Sequence, residues 1–275
     1  MSRIIITGAT SGIGLATARA LGAMGHELIL GCRNMTKADK LQRSLKEEGI
    51  EAKIFQVDLT HLASVEGFCY GILKAYDHID ILINNAGVFS DSKKRTQDGF
   101  ELTIGTNYIS HYLLTERLLP LIIASESGRI VNISSKAALY GRIKTDDSFY
   151  TKPTKGFRAY AKSKLAQVLY TIDLAKRLET HNVMVNAIHP GEVATNIWQG
   201  ESLLMKLIGP INQRRYLKPE EAAKICVQVA VGELYGDTTG QLIEDGGIMK
   251  LNKHCLDDNL REVVIELAKK VTVNK

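Results

Sequence analysis

The chain has 275 residues, 45% of them hydrophobic and 24% charged, with a formal net charge of +5 at pH 7. That length and apolar content are enough for one sizeable core, so a single domain over residues 1–275 is expected. The basic excess is dispersed, its nearest clusters being Lys93, Lys94 and Arg95 and then Arg214 and Arg215; without a basic stripe or an aromatic platform, a nucleic-acid partner is not expected.

In chain order, short β-branched runs alternate with stretches of helical periodicity. Strands are predicted at 3–7 (RIIIT), 27–31 (ELILG), 52–57 (AKIFQV), 79–84 (IDILIN), 129–134 (RIVNIS), 183–188 (VMVNAI) and 241–245 (QLIED). Helices are predicted near 12–25, 36–48, 62–76, 99–124, 158–180 and 219–232, with Gly49 as a C-terminal stop and Pro219 in a first turn. This alternation is the pattern of an α/β protein, a Rossmann-type doubly wound sheet of seven mostly parallel strands with helices on both faces.

Two connections are too long for simple alternation, 140–157 and 196–218, and such segments are commonly functional. The second carries Ile197, Trp198, Leu203, Leu204 and Met205, the apolar side expected of a substrate lid. Residues 256–272 read as a terminal amphipathic helix that packs on the sheet or closes the site. Cys32, Cys69, Cys226 and Cys255 have neither Cys-x-x-Cys nor metal-type spacing, so reduced thiols and no metal site are expected. The first strand begins at once and no long uninterrupted apolar run follows, so a cytoplasmic protein without a membrane segment is expected.

In a doubly wound sheet the ligand lies beyond the carboxyl ends of the strands. Those ends carry T-G-A-T-S-G-I-G (7–14), Arg33, Asp58, N-N-A-G (84–87), Ser134 and Ser135, and H-P-G (189–191). In the first, Gly8, Gly12 and Gly14 let a pyrophosphate approach the backbone at a helix N-terminus. Their G-x-x-x-G-x-G spacing differs from the G-x-G-x-x-G dinucleotide fingerprint, and the strand before and helix after carry the reading.

Tyr160 and Lys164, in Y-A-K-S-K, are one helical turn apart. Tyr70/Lys74 and Tyr140/Lys144 share the spacing, and roughly one such pair is expected by chance. The third pair alone heads an apolar stripe, Leu165, Val168, Leu169, Ile172, Ala175 and Leu178, that would hold its first turn at the cleft. A phenol beside a buried ammonium can serve as general acid or base, provided the phenolate gains roughly 4 kcal/mol of preferential stabilisation to titrate near neutrality. Ser134 and Ser135 are adjacent on an extended chain, so only one faces the cleft.

This set, in this order over nearly the whole chain and with Asn107 in G-T-N-Y-I-S-H-Y-L-L-T, resembles the short-chain dehydrogenase/reductase family. The phrase Y-x-x-S-K-L-A-x-V-L-Y-T and the long gap between serine and tyrosine resemble its retinol-dehydrogenase-like branch, whose membrane-bound members carry an N-terminal anchor not seen here. The resemblance implies an oxidoreductase acting between an alcohol and a carbonyl, and the apolar side of 196–218 favours a fairly hydrophobic ketone or aldehyde. It implies that Ser135 bonds the substrate oxygen, Tyr160 donates or accepts the proton, Lys164 holds the nicotinamide ribose and lowers the tyrosine, and Asn107 positions a relay water.

Among cofactor-binding residues the resemblance places Gly8, Ser11, Gly12, Ile13 and Gly14, with Asp58 and Leu59 by the adenine, Asn85, Ala86 and Gly87 along the cofactor, and Pro190 and Gly191. Val193 and Thr195 are implied near the nicotinamide amide, and Tyr160 and Lys164 touch the cofactor too. Strand two ends in Cys32 and Arg33 where an acidic residue would select NAD, so NADP(H) is expected, with Arg33 pairing the 2'-phosphate. A homodimer or homotetramer through helices 99–124 and 158–180 is expected from the family. The alternative is a dinucleotide-binding sensor or scaffold without turnover.

Overall fold

Ile4, Ile5 and Ile6 of strand β1 (Arg3–Thr7) are all completely buried. Successive strand side chains point to opposite faces, so this run requires cover on both sides of its sheet. The computed structural model, which describes residues 1–144, 149–152, 154–192 and 217–273, supplies it. The other strands are β2 (Glu27–Cys32), β3 (Ala52–Gln56), β4 (Ile81–Asn84), β5 (Gly128–Ile133), β6 (Val183–His189), β7 (Leu242–Glu244) and β8 (Gly247–Ile248). They run in the order β3-β2-β1-β4-β5-β6-β7-β8, parallel throughout except for the antiparallel β7–β8 pair.

One face is covered by α1 (Gly12–Ala23), α2 (Met35–Glu47) and α7 (Pro219–Val231), whose apolar residues join Ile4, Ile6, Leu28 and Ile188. On the other face lie α3 (Leu62–Ala75), α5 (Ser110–Ile123) and α6 (Phe157–Arg177), packed on Ile5, Leu82, Ile130 and Val185. A short α4 (Leu102–Ile104) and a π-helical stretch, Gly105–Ile109, lead directly into α5. The terminal helix α8 (Asp258–Thr272), capped by Asp257 at Leu260 N (3.0 Å), buries Leu260, Val264, Leu267 and Ala268 against α5 and α6. Tyr108 Oη donates to Val264 O at 3.2 Å and ties this helix to the π stretch.

Among the described residues the sheet has eight strands rather than seven. The eighth arises because the run 241–245 turns back through Asp245 and Gly246 (φ +102°), a two-residue hairpin turn that pairs Glu244 with Gly247. The predicted 99–124 helix is three pieces, its π stretch being invisible to a periodicity of 3.6. The predicted lid at 196–218 falls outside the described residues except for Leu217 and Lys218. Among the described residues no helix is long and apolar enough to cross a membrane, and no group of His, Cys, Asp or Glu could hold a metal. The four cysteines are buried and unpaired.

Candidate active site

The order of the strands reverses between β1 and β4, where a crevice must open at their carboxyl ends. A cleft of about 870 Å³ lies there. Its wall takes a residue or more from every strand end singled out in the sequence: Gly8, Arg33, Asp58, Asn85, Ser135 and His189 among them. Of the N-N-A-G run only Asn84 stays off the wall; it is fully buried and donates to Thr115 Oγ1 and Asn132 Oδ1, both at 2.9 Å.

At one end, β1 passes into α1 through Gly8 (φ +71°) and Gly12 (φ +56°), a backbone course open to glycine. Ser11 precedes α1 without capping it by its side chain, so the first-turn N–H groups of Gly12, Ile13 and Gly14 have no intrahelical partner. All four residues line the cleft, giving a helix N-terminus suited to a phosphate. The glycines also answer to the protein's own packing. A Cβ on Gly14 would collide with Asn85 Nδ2 and meet Gly8 O at 2.6 Å, and one on Gly8 would meet Ala86 at 2.9 Å.

At the end of β2, Cys32 is buried and its thiol is pushed up to about 11 by that burial, so it stays neutral. Arg33 follows, exposed, and Lys37 in the first turn of α2 joins it on the cleft wall. Neither side chain bonds another described residue, and this paired cation is a feature that sequence reading missed. Its signal was a second base four residues after the first. Asp58 spends its carboxylate on Thr60 N (2.9 Å) and Thr60 Oγ1 (2.8 Å), which shapes the turn beside Leu59. Two buried polar atoms on the wall, Thr106 Oγ1 and His189 Nδ1, have no partner among the described residues and suit a polar ligand. The residues present therefore fit a dinucleotide.

At the other end, β5 and α6 bring Ser135, Tyr160 and Lys164 together on the cleft wall. Ser135 Oγ accepts from Ala137 N (3.2 Å), and its hydroxyl is the neighbour that favours the ionised Tyr160 phenol. Ser134 Oγ instead donates to Lys164 O at 3.2 Å. Lys164 is 4% exposed; its Nζ donates to Ile133 O (2.7 Å) and Gln167 Oε1 (2.9 Å) and lies 5.4 Å from the Tyr160 ring centroid. Burial pushes Lys164 down to about 7. Burial also pushes Tyr160 up to about 12, partly opposed by Ser135. In the protein alone, loss of solvent outweighs the favourable Ser135 neighbour; the expected lowering of the tyrosine by Lys164 concerns the site with the nicotinamide's charge beside it.

Asn107 sits behind this wall, fully buried. Its Oδ1 accepts from Val88 N (2.8 Å), and its Nδ2 donates to Val88 O (3.0 Å) and Ser163 Oγ (3.1 Å). Its carbonyl takes Gln167 Nε2 (2.9 Å) and His111 Nδ1 (3.1 Å). These bonds take both amide hydrogens of Asn107 and two donors at its carbonyl, and leave Oδ1 one further acceptor position. Because that carbonyl can only accept, His111 carries its proton on Nδ1, and Nε2 accepts from Thr7 Oγ1 at 3.0 Å. Thr7 Oγ1 in turn accepts from Asn85 N and Ala86 N, both at 3.0 Å, so one chain of bonds joins the loop after β4 to Lys164. Burial holds His111 down at about 4, hence neutral.

Aromatic rings border the tyrosine end. Phe89 lies 5.8 Å from Tyr160, and Tyr140 lies 6.4 Å from Phe157, centroid to centroid, with all four on the cleft wall. Tyr140, read from sequence as part of a polar connection, closes a 3-10 turn, Lys136–Tyr140, at this mouth. Tyr70 and Lys74 form an exposed cation–π contact (4.4 Å) on α3, away from the cleft. Pro190 and Gly191 (φ +85°) line the cleft, while Val193 and Thr195 lie outside the described residues.

A family model for short chain dehydrogenases matches residues 2–203. The chain is 35% identical to human retinol dehydrogenase 14 over 275 aligned residues, covering 94% of this chain and 82% of that one. It is 37% identical to human retinol dehydrogenase 13 over 249, covering 88% and 75%. Among solved structures, an uncharacterized protein of Mycobacterium paratuberculosis superposes with a TM-score of 0.80 at 28% identity, covering 99% of this chain and 93% of that one. A metagenomic short-chain oxidoreductase in complex with NADP does so at 0.62 and 27%, covering 83% and 90%.

Proposed function

Because the chain belongs to the short-chain dehydrogenase family and is retinol-dehydrogenase-like, we propose that it is an NADP(H)-dependent oxidoreductase interconverting a fairly hydrophobic ketone or aldehyde and its alcohol. The observation that carries the proposal is a single cleft with an open helix N-terminus and two cations at one end and Ser135, Tyr160 and Lys164 at the other.

Reduction of a carbonyl needs a hydride on carbon and a proton on oxygen. The nicotinamide, when bound, supplies the hydride and, once oxidised, a positive charge beside the phenol. Ser135 donates to the substrate oxygen and Tyr160 Oη gives it the proton, both side chains lining the same end of the cleft. Lys164 holds the ribose end and returns a proton to the tyrosine. Asn107 acts by clamping the loop at Val88 and the carbonyl network behind Lys164.

Arg33 and Lys37 are the groups that would receive a 2'-phosphate, and a neutral Cys32 leaves nothing there to repel it. The bound NADP of the metagenomic relative supports this choice. The aromatic border of Phe89, Tyr140 and Phe157 supports an apolar substrate. A reducing, cytoplasmic setting is part of the proposal and rests on four unpaired cysteines. Association through α5 and α6 meets an obstacle, since α8 packs on both; the proposal is a protein that does not pair through those helices.

Oxidation of NADPH and of NADH by purified protein, followed by absorbance over a panel of apolar aldehydes and ketones, tests the reading. Turnover should favour NADPH and fall at least ~100-fold in Tyr160→Phe. Tight NADPH binding without turnover on any substrate would favour the sensor; failure to bind either nucleotide would end the assignment.

A further inference from the structure

Gln167 lies three residues beyond Lys164 on α6 and is 3% exposed. Its two amide ends meet partners that admit one orientation. The Asn107 carbonyl only accepts and so takes Nε2, at 2.9 Å; the Lys164 amine donates and so takes Oε1, at 2.9 Å. Ile133 O takes a second N–H of the same amine at 2.7 Å. Nitrogen in an ammonium group has three such positions, and Lys164 itself lines the cleft beside Tyr160.

We propose that Gln167 is a positioning residue for proton transfer: with the Ile133 carbonyl it occupies two N–H positions of Lys164 and directs the third toward the cleft and Tyr160. This rests on the reading of Tyr160 and Lys164 as the proton-handling pair. When Lys164 is charged, the third position is an N–H that gives its proton to the tyrosine oxygen, leaving neutral amine and neutral phenol. When it is neutral, the same position is a lone pair, and the two N–H bonds to Ile133 and Gln167 persist unchanged. The geometry therefore survives the change of charge. A carboxamide neither gains nor loses a proton at neutral pH, so the side of Lys164 facing Asn107 is closed to exchange and traffic is confined to the cleft.

The test is a titration of Lys164 in the ligand-free protein, followed by NMR of lysine labelled with carbon-13 at Cε and assigned by the signal lost in Lys164→Arg. Gln167→Met keeps the length and volume of the side chain but offers the amine only a weak acceptor, and Gln167→Leu is a second apolar variant. With one acceptor gone the charged amine is less favoured, so the midpoint should fall by about 1 pH unit in both variants. The pH profile of kcat should move the same way. A midpoint unchanged in a folded Gln167→Met protein overturns the proposal. If it is unchanged while Tyr160→Phe is inactive, Gln167 alone has lost its role. If Tyr160→Phe keeps full activity, the reading of the tyrosine falls and this inference with it.

Discussion

Lys164 is a cation that the fold keeps almost wholly out of water, and that has a measurable consequence. Burial lowers it to about 7, whereas an unfolded lysine titrates near 10.4. Below pH 7 both states hold the proton and the fold bears the full cost of a buried ammonium. Between about pH 7 and 10 the folded protein sheds the proton that the unfolded chain keeps, so this site's contribution to stability rises with pH. Lys164→Met removes that dependence. The stability difference between variant and wild type, from denaturant melts, should be most in the variant's favour near pH 6 and shrink toward pH 10. Its span has an upper bound of roughly 4 kcal/mol. Parallel curves would show that the amine is not desolvated as the structure has it.

At the scale of elements, the turn from β1 to α1 is held from two directions. Phosphate approach is the proposed reason for glycine there; the loop after β4 is a second, because Asn85 Nδ2 bonds Thr7 O (2.7 Å) directly against Gly14. Gly14→Ala should therefore destabilise the ligand-free protein by about 1–3 kcal/mol, seen as a lower denaturant midpoint, since the methyl meets a backbone carbonyl that cannot step aside. No loss without nucleotide would mean that the glycine serves the ligand alone. The π stretch is the other device at this scale. Gly105–Ile109 carries Asn107 with its carbonyl toward α6, where Gln167 meets it, and this joins two helices behind Tyr160 and Lys164.

For the molecule as a whole, α8 decides which face is left for association. Leu260, Val264, Leu267 and Ala268 are buried, and each large side chain of this kind contributes about 2 kcal/mol to holding the helix down. Light scattering of the full chain should give the mass of one copy, 30.3 kDa. Substituting Leu260→Ala and Val264→Ala together should destabilise the protein and bare the faces of α5 and α6, with self-association rising as α8 loosens. A stable dimer in the unaltered protein would show that a different face is used.

The sheet, its doubly wound order and the positions of its ligand-facing ends were legible in the sequence because they depend on local signals: β-branched runs, glycine turns and a period of 3.6. Arg33, Ser135, Tyr160 and Lys164 were legible for the same reason, each lying at a strand end or on a helix turn whose place in such a sheet is set. What the chain alone left hidden were pairings between residues far apart. His111 meets Thr7 across 104 positions, Gln167 meets Asn107 across 60, and Tyr108 meets Val264 across 156. The direction of the tyrosine's shift was hidden too, because desolvation depends on how completely Tyr160 is enclosed and not on its spacing from Lys164. Sequence by itself determined the fold class and which side chains stand at the cleft, through short-range propensity and motif. Tertiary structure alone decided which atoms satisfy one another behind it and how far each charge is removed from water, because both arise only when distant segments close on one another.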